Sequence, residues 1–171
     1  MDWNTCVREG NSVKITANRK RAVFLVNQAE KTMKVLEKIL IDKNNASVFF
    51  TNYYDALLEL LHALMYDAGF KVKNHYCLGY YLRDVIKDNK SYRVFDRSRL
   101  LRNSSIYYGE NFDEAVLLSA IRDIKEVFVK LKENIKEYAS EISLFWPRNK
   151  IGALESRVHR REKVGKVKGR R

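Results

Sequence analysis

The sequence predicts an all-α protein, built as an up-and-down bundle of four or five helices. One proline and seven glycines are spread over 171 residues, which leaves few of the turn residues that an all-β domain needs. Apolar side chains recur at steps of three and four along several segments, as they do on one face of an α-helix. An apolar fraction of 46% is enough to bury the core of one domain of this length.

The first long helix is predicted from about residue 19 to 42, after an N-terminal segment of residues 1–17. Asn18 is a suitable N-cap, because its side-chain oxygen can accept a hydrogen bond from the first turn. A single apolar stripe follows, and its members are Ala22, Val26, Ala29, Met33, Leu36 and Leu40.

The second helix is predicted from about Asn45 to Ala68, with Gly69 as the left-handed residue that ends it. Apolar side chains cover most of its circumference, so we expect this helix to be central or to lie at a subunit interface. Residues 71–74 form a connection, and a shorter third helix is predicted from His75 to about Ile86.

The fourth helix is predicted from about Tyr92 to Tyr107, with Gly109 as its stop. The last helix begins after Asn111, which has capping-box spacing with Glu114. Its apolar residues repeat at four and three over about three heptads, and they are Leu117, Ile121, Ile124, Phe128, Leu131, Ile135 and Tyr138. A helix bundle over residues 18–142 is the expected use of this stripe, and a coiled-coil seam is the alternative.

Most of the positive charge is predicted to lie in a C-terminal tail. The formal charge of +12 favours an anionic partner, which can be nucleic acid, an acidic protein or a membrane surface. Residues 143–171 contain ten Lys or Arg and two Glu, so they carry +8 of that total. Their low apolar content predicts a flexible segment. It is either an RNA-binding arm, with Arg160 and Arg161 as candidate contacts, or a solubilising tail without a further role.

The two cysteines, Cys6 and Cys77, lack the spacing of a zinc site or of a disulfide framework. We therefore expect free thiols, a reducing compartment, and no metal or other cofactor. No apolar run reaches the ~20 residues that cross a bilayer, and the N-terminus lacks the pattern of a signal peptide. The sequence thus predicts a cytoplasmic protein that does not contact a membrane.

The end of the fourth helix carries the densest group of reactive side chains. Three arginines suit phosphate, an asparagine donates and accepts hydrogen bonds, and two tyrosines supply phenols. These residues are Arg97, Arg99, Arg102, Asn103, Tyr107 and Tyr108. At 100° per residue, Arg102 lies on a polar face with Arg99 and about 140° from Tyr107. Arg102 and Tyr107 can therefore share a ligand only if the helix unwinds or a second copy completes the site. The alternative is that the arginines form surface ion pairs.

Two separated segments resemble the HEPN superfamily, in particular its small archaeal members. The first segment is residues 52–64, Asn-Tyr-Tyr-Asp-Ala-Leu-Leu-Glu-Leu-Leu-His-Ala-Leu, and it is followed by Gly69–Val72 and by Asn74 with His75. The second segment is residues 101–109, Leu-Arg-Asn-Ser-Ser-Ile-Tyr-Tyr-Gly. The resemblance covers roughly residues 18–140 and implies a helical bundle that forms a homodimer.

Many HEPN proteins are metal-independent endoribonucleases, often toxins that are paired with a minimal nucleotidyltransferase antitoxin. Their active site is an Arg, commonly followed by Asn, with a His after four to six intervening residues, and two copies meet across the dimer. Arg102 and Asn103 match this pattern, whereas Tyr107 or Tyr108 occupies the position of the His. A phenol is protonated at pH 7 and is a poor base.

Three functions follow from this departure. The first is an HEPN-like RNA-binding protein with specialised cleavage, in a toxin–antitoxin or RNA-defence context. The second is a catalytically silent HEPN-like subunit that binds a nucleotidyltransferase. The third is an unrelated basic helical module that binds nucleic acid.

The histidines are not expected to supply the missing base. His62 lies in the most apolar helix, where a core or interface role is expected, and His75 opens a helix, where capping or packing is expected. His159 lies in the tail. Asp55 and Glu59 are four residues apart on one helix face, where an ion pair or a solvated edge is expected rather than a catalytic carboxylate pair.

Overall fold

The computed structural model describes the backbone of residues 1–108 and 112–145, and side chains over residues 1–104 and 112–133. This part of the chain is mostly helical, in agreement with the predicted class. The helices are α1 Trp3–Arg8, α2 Arg19–Leu36, α3 Ala46–Asp67, α4 His75–Asp84, α5 Asn89–Tyr108 and α6 Glu114–Phe145, and the strands are β1 Ser12–Lys14 and β2 Phe70–Val72. The core belongs to a compact unit of residues Met1–Ile135.

Helix α3 lies at the centre of the core. Five large side chains within about 120° of one another on the helical wheel are almost fully buried, namely Tyr53, Tyr54, Leu57, Leu60 and Leu61. Ala63 and Met65, which are also buried, extend this face to more than half of the circumference of α3 within a single chain. The expectation of a central helix is thus confirmed, and Val48 on the remaining side is 59% exposed.

The apolar stripe of α2 is buried from Ala22 to Leu36, as predicted, but Leu40 is 87% exposed. The prediction that this helix continues to residue 42 is wrong, because α2 ends at Leu36. Asp42 and Asn45 explain the end. The Asn45 side chain donates to the Leu40 carbonyl at 3.1 Å and accepts from the Asp42 amide at 2.9 Å. Such side-chain bonds compete with the helical backbone bonds.

Two predicted helix-boundary residues are confirmed. The side chain of Asn18 accepts a hydrogen bond from the Arg21 amide at 3.0 Å and caps α2. Gly69 adopts a φ of +77° after α3, and a Cβ at this position would lie 2.9 Å from the Ile15 carbonyl oxygen. Both the backbone angle and the space therefore require glycine here.

Helix α5 begins at Asn89, one turn before the predicted start. The polar residues Asn89, Lys90 and Ser91, which precede the predicted start, form the first turn of this helix. Asp88 accepts hydrogen bonds from the backbone amide of Ser91 at 3.1 Å and from its hydroxyl at 2.6 Å, and it pairs with Lys130 of α6 at 2.7 Å. An acidic residue in this position caps a helix N-terminus.

The apolar stripe predicted for the last helix is confirmed over the described side chains. Its buried members are Leu117, Ile121, Ile124, Phe128 and Leu131. The capping residue Asn111, the side chains of Ile135 and Tyr138, and nearly all of the predicted tail, residues 143–171, lie outside the described residues.

A small sheet joins the two segments that were predicted without secondary structure. Strands β1 and β2 pair antiparallel, with Ser12 opposite Val72 and Lys14 opposite Phe70. Each strand has three residues, which is too short for an alternating pattern to be recognised. The N-terminal segment is therefore part of the fold, and Trp3 of α1 packs edge-on against Phe70 with ring centres 5.2 Å apart.

Cys6 of α1 and Cys77 of α4 form a disulfide bond, and both residues are fully buried. The prediction of two free thiols is therefore wrong. It relied on spacing along the chain, which does not register a pairing made by tertiary packing across 71 residues. The disulfide removes the argument for a reducing compartment. The cytoplasmic location stays a prediction, and among the described residues no helix is long and apolar enough to cross a membrane.

Reducing this disulfide should lower the free energy of unfolding by roughly 4 kcal/mol, because a bond across 71 residues restricts the unfolded chain. Urea unfolding with and without dithiothreitol measures the difference. The double variant Cys6→Ala/Cys77→Ala is the control, and its unfolding should not respond to the reductant. Equal midpoints for the oxidised and reduced wild-type protein would contradict the prediction.

Candidate functional site

Arg102 continues the buried face of α5. Ser91, Phe95 and Ser98 are buried, and on a helical wheel they lie within about 60° of one another together with Arg102. The Ser98 hydroxyl donates to the Val94 carbonyl at 2.8 Å, so its polar group is satisfied inside the core. The side chain of Arg102 is only 21% exposed. The prediction of a polar face for Arg102 is therefore wrong. Ser91 and Ser98 are polar residue types, but in this helix they belong to the buried face.

The guanidinium of Arg102 contacts two residues of α3. Its Nε lies 3.4 Å from Oδ1 of Asp55, and its central carbon lies 5.4 Å from the ring centre of Tyr54. The Nε is buried and makes no hydrogen bond within the protein. The expectation of an ion pair at Asp55 is thus confirmed. An aromatic ring and a carboxylate together hold a cation at the edge of the core.

Tyr54 links Arg102 to His75 at the start of α4. The Tyr54 hydroxyl lies 3.2 Å from Nδ1 of His75. Burial raises the pKa of Tyr54 well above its ordinary value, although the positive charges of Arg102 and Arg99 act in the opposite direction. The phenol therefore keeps its proton at neutral pH.

Burial, and then the positive charge of Arg102, lower the pKa of His75 below its ordinary value. His75 is therefore neutral at pH 7. His75 is half-buried, and through Tyr54 it is connected to Arg102. It is a histidine of the kind that the sequence pattern of α5 lacks after Arg102. One feature of the sequence could have identified His75 as a site residue. It lies shortly after the residues that form β2, among the segments that resemble the HEPN superfamily.

Two further residues of α3 border the site. The rings of His62 and His75 are 6.4 Å apart, and burial followed by the charge of His75 lowers the pKa of His62. Burial and the neighbouring Asp55 raise the pKa of Glu59. We call Tyr54, Asp55, His75 and Arg102 the Arg102 cluster. Burial and neighbouring charges shift the pKa values of Tyr54 and His75, and groups with shifted pKa values in a partly exposed position are typical of functional sites.

The two other candidate arginines of α5 are ion-paired. Arg99 contacts Asp96 at 2.6 Å, and Arg97 contacts Asp123 of α6 at 3.6 Å. Surface ion pairs were the alternative interpretation of these side chains, and the structure contains them. Asn103, the remaining polar candidate, is half-buried beside Arg102.

The backbone of α5 places the candidate tyrosines and Arg102 at different angles around the helix. Helix α5 continues through Tyr108, so Arg102 and Tyr107 stay about 140° apart and the helix does not unwind before that point. The side chains of Tyr107 and Tyr108 lie outside the described residues, as do Arg160 and Arg161. Among the described side chains, Tyr54 therefore connects Arg102 to a histidine of α4, His75.

Among the described residues, no group of three or more potential ligands is arranged to hold a metal ion. Comparisons with protein-family models, with curated proteins and with solved structures gave no match. The resemblance to the HEPN superfamily stays a prediction from the sequence.

Acidification from pH 7.5 to 5.5 should destabilise the protein through His62 and His75. Both folded-state pKa values are lowered below the ordinary histidine value of 6.5, mainly by burial. Below pH 6.5 the two histidines therefore bind protons more readily in the unfolded chain than in the folded protein, and protonation favours unfolding. The stabilisation from these groups is thus complete above pH 6.5, and it is lost as the pH falls through the folded pKa values.

The measurement is the melting temperature at pH 7.5 and 5.5, for the wild type and for His62→Gln/His75→Gln. The variant should show the smaller decrease. Asp84 and Asp88 do not interfere with this comparison. Their pKa values are lowered from the ordinary aspartate value of 3.8, so both carboxyls titrate below this pH range. An equal decrease in the two proteins would contradict the assignment to the histidines.

Proposed function

We propose that this protein is an HEPN-like RNA-binding protein and a metal-independent endoribonuclease. Three features support the proposal: the resemblance of two segments to the superfamily, the formal charge of +12, and the contents of the Arg102 cluster. The observation that carries it is the hydrogen bond between Tyr54 and His75, because the same tyrosine also contacts the arginine that matches the family motif.

Arg102 binds the scissile phosphate in this proposal. Its guanidinium is permanently charged, and its Nε, which faces Asp55 at 3.4 Å, makes no hydrogen bond within the protein. Asp55, which is 47% exposed, is the anion that a phosphate displaces. The Tyr54 ring holds the guanidinium in place before RNA arrives, so little reorganisation is needed when negative charge develops on the phosphate.

His75 transfers the proton. Its neutral ring accepts the proton of the RNA 2′-hydroxyl, the 2′-oxygen forms a bond to phosphorus, and the bond from phosphorus to the 5′-oxygen breaks. The resulting imidazolium returns the proton to the leaving 5′-oxygen, and the products are a 2′,3′-cyclic phosphate and a 5′-hydroxyl. The proposed step uses the tautomer of His75 in which Nδ1–H donates to the Tyr54 hydroxyl, so that Nε2 is the base.

A catalytically silent subunit is the second candidate function. It is favoured by the ion pairs that already neutralise Arg97, Arg99 and Arg102. It is also favoured by exposed apolar side chains on and after α2, namely Phe24, Val35 and Ile39. In this case Arg102 stabilises the bundle, and the chain pairs with a second copy or with a nucleotidyltransferase.

Cleavage of single-stranded RNA in EDTA tests the first candidate. We expect Arg102→Gln to abolish cleavage and to weaken RNA binding about tenfold, because charge-assisted bonds to a phosphate contribute about 1–3 kcal/mol. His75→Gln should abolish cleavage and leave RNA binding unchanged. Arg19→Gln, which breaks the pair between Arg19 and Asp67 at 3.6 Å, is the matched control and should change neither.

Each variant is first checked by thermal melting, because Arg102 is mostly buried. If Arg102→Gln does not fold, Tyr54→Phe replaces it as the probe of the cluster. Absence of cleavage by the wild type would reject the nuclease, and unchanged RNA binding by Arg102→Gln would reject the phosphate site. Light scattering then decides whether the second candidate's assembly exists.

A further inference from the structure

A groove of about 380 Å³ lies on the face of α5 opposite its buried stripe. Its lining includes the aromatic and aliphatic side chains of Tyr92, Leu100 and Phe112 and two arginines, Arg93 and Arg97. Leu100 is 53% exposed, so a large apolar side chain faces water here. The volume lies at the lower end of the range for pockets that bind small ligands.

The chemistry of the groove fits a nucleotide. Aromatic and aliphatic side chains pack against the flat, apolar faces of nucleobases, and arginine side chains bind the phosphates on either side of a base. The charges favour an anionic occupant over an apolar helix. Arg93 is exposed, and the ion pair of Arg97 with Asp123 is long and largely exposed, so a phosphate can replace it at little cost.

The groove and the Arg102 cluster are connected around the same helix. On a helical wheel, Arg99 and Asp96 lie between Arg102 and the groove, and Asp96 lines the groove itself. Asp96 is bound by Arg99 at 2.6 Å, so its charge is already compensated. The helix is roughly 10 Å across, which is a distance that a few nucleotides of single strand can cover.

We propose that this groove binds one unstacked base of the RNA whose phosphate is held at Arg102. The substrate is therefore single-stranded RNA, because a base inside a duplex has both faces covered and cannot enter. The inference rests on the RNA binding proposed above, and it adds the substrate class and a second binding site on α5.

The test is binding of a fluorescent 2′-O-methyl oligouridine of about 12 nucleotides, a strand that cannot be cleaved through its 2′-oxygen. The comparison probes are the same strand without bases and the same strand paired to its complement. We expect the wild type to bind the intact single strand at least tenfold more tightly than either comparison probe.

The variant Leu100→Glu places a negative charge in the groove, and Leu40→Glu makes the same change at a leucine that is 87% exposed elsewhere. Leu100→Glu should weaken binding of the intact strand at least tenfold and remove the preference for bases, whereas Leu40→Glu should retain both. Phe112→Ala should reduce the preference in the same direction without a change of charge.

The outcomes separate this inference from the proposed function. If Arg102→Gln weakens binding but Leu100→Glu behaves like Leu40→Glu, the groove is overturned and the phosphate site survives. Equal affinity of the wild type for the strands with and without bases would also overturn the groove and leave the phosphate site in place. If Leu100→Glu instead dissociates a dimer and leaves RNA affinity unchanged, the groove is a contact between copies and the inference is overturned. Unchanged binding in Arg102→Gln rejects the underlying proposal.

Discussion

The buried ring of Tyr54 joins the three helices that form the candidate site. It belongs to α3, stacks against Phe95 of α5 with ring centres 5.9 Å apart, lies under the guanidinium of Arg102, and reaches His75 of α4 with its hydroxyl. A phenol suits this position because its body is apolar and its single polar group finds a partner. Loss of this ring would separate the arginine from the histidine and would open the core between α3 and α5.

Partial burial makes the Arg102 cluster costly to maintain. A charged group that leaves water loses the free energy of its hydration, and the attraction within its ion pair compensates for only part of this loss. The same burial lowers the pKa of His75 and raises that of Tyr54, so both groups are neutral beside a permanent cation. Such an arrangement has little value for stability alone, which is the physical reason for proposing a ligand-binding role.

The position of His75 depends on the N-terminal segment. Helix α4 has ten residues, which is too short to be stable by itself in water. The disulfide between Cys6 and Cys77 ties α4 to α1, and strand β2 ends three residues before His75 and pairs with β1. The first 17 residues thus hold the element that carries the histidine, although the sequence pattern marks them only as a leading segment.

The sequence by itself determined the features that depend on near neighbours along the chain. These are the helical class, the cap at Asn18, the left-handed Gly69 and the apolar stripes of α2 and α6, because caps and periodicity act within one or two turns. Tertiary structure alone decided the disulfide, the buried face of Arg102 and the meeting of Tyr54 with His75. These pairings join residues that are far apart in sequence, and their energies come from burial and packing, which no local pattern records.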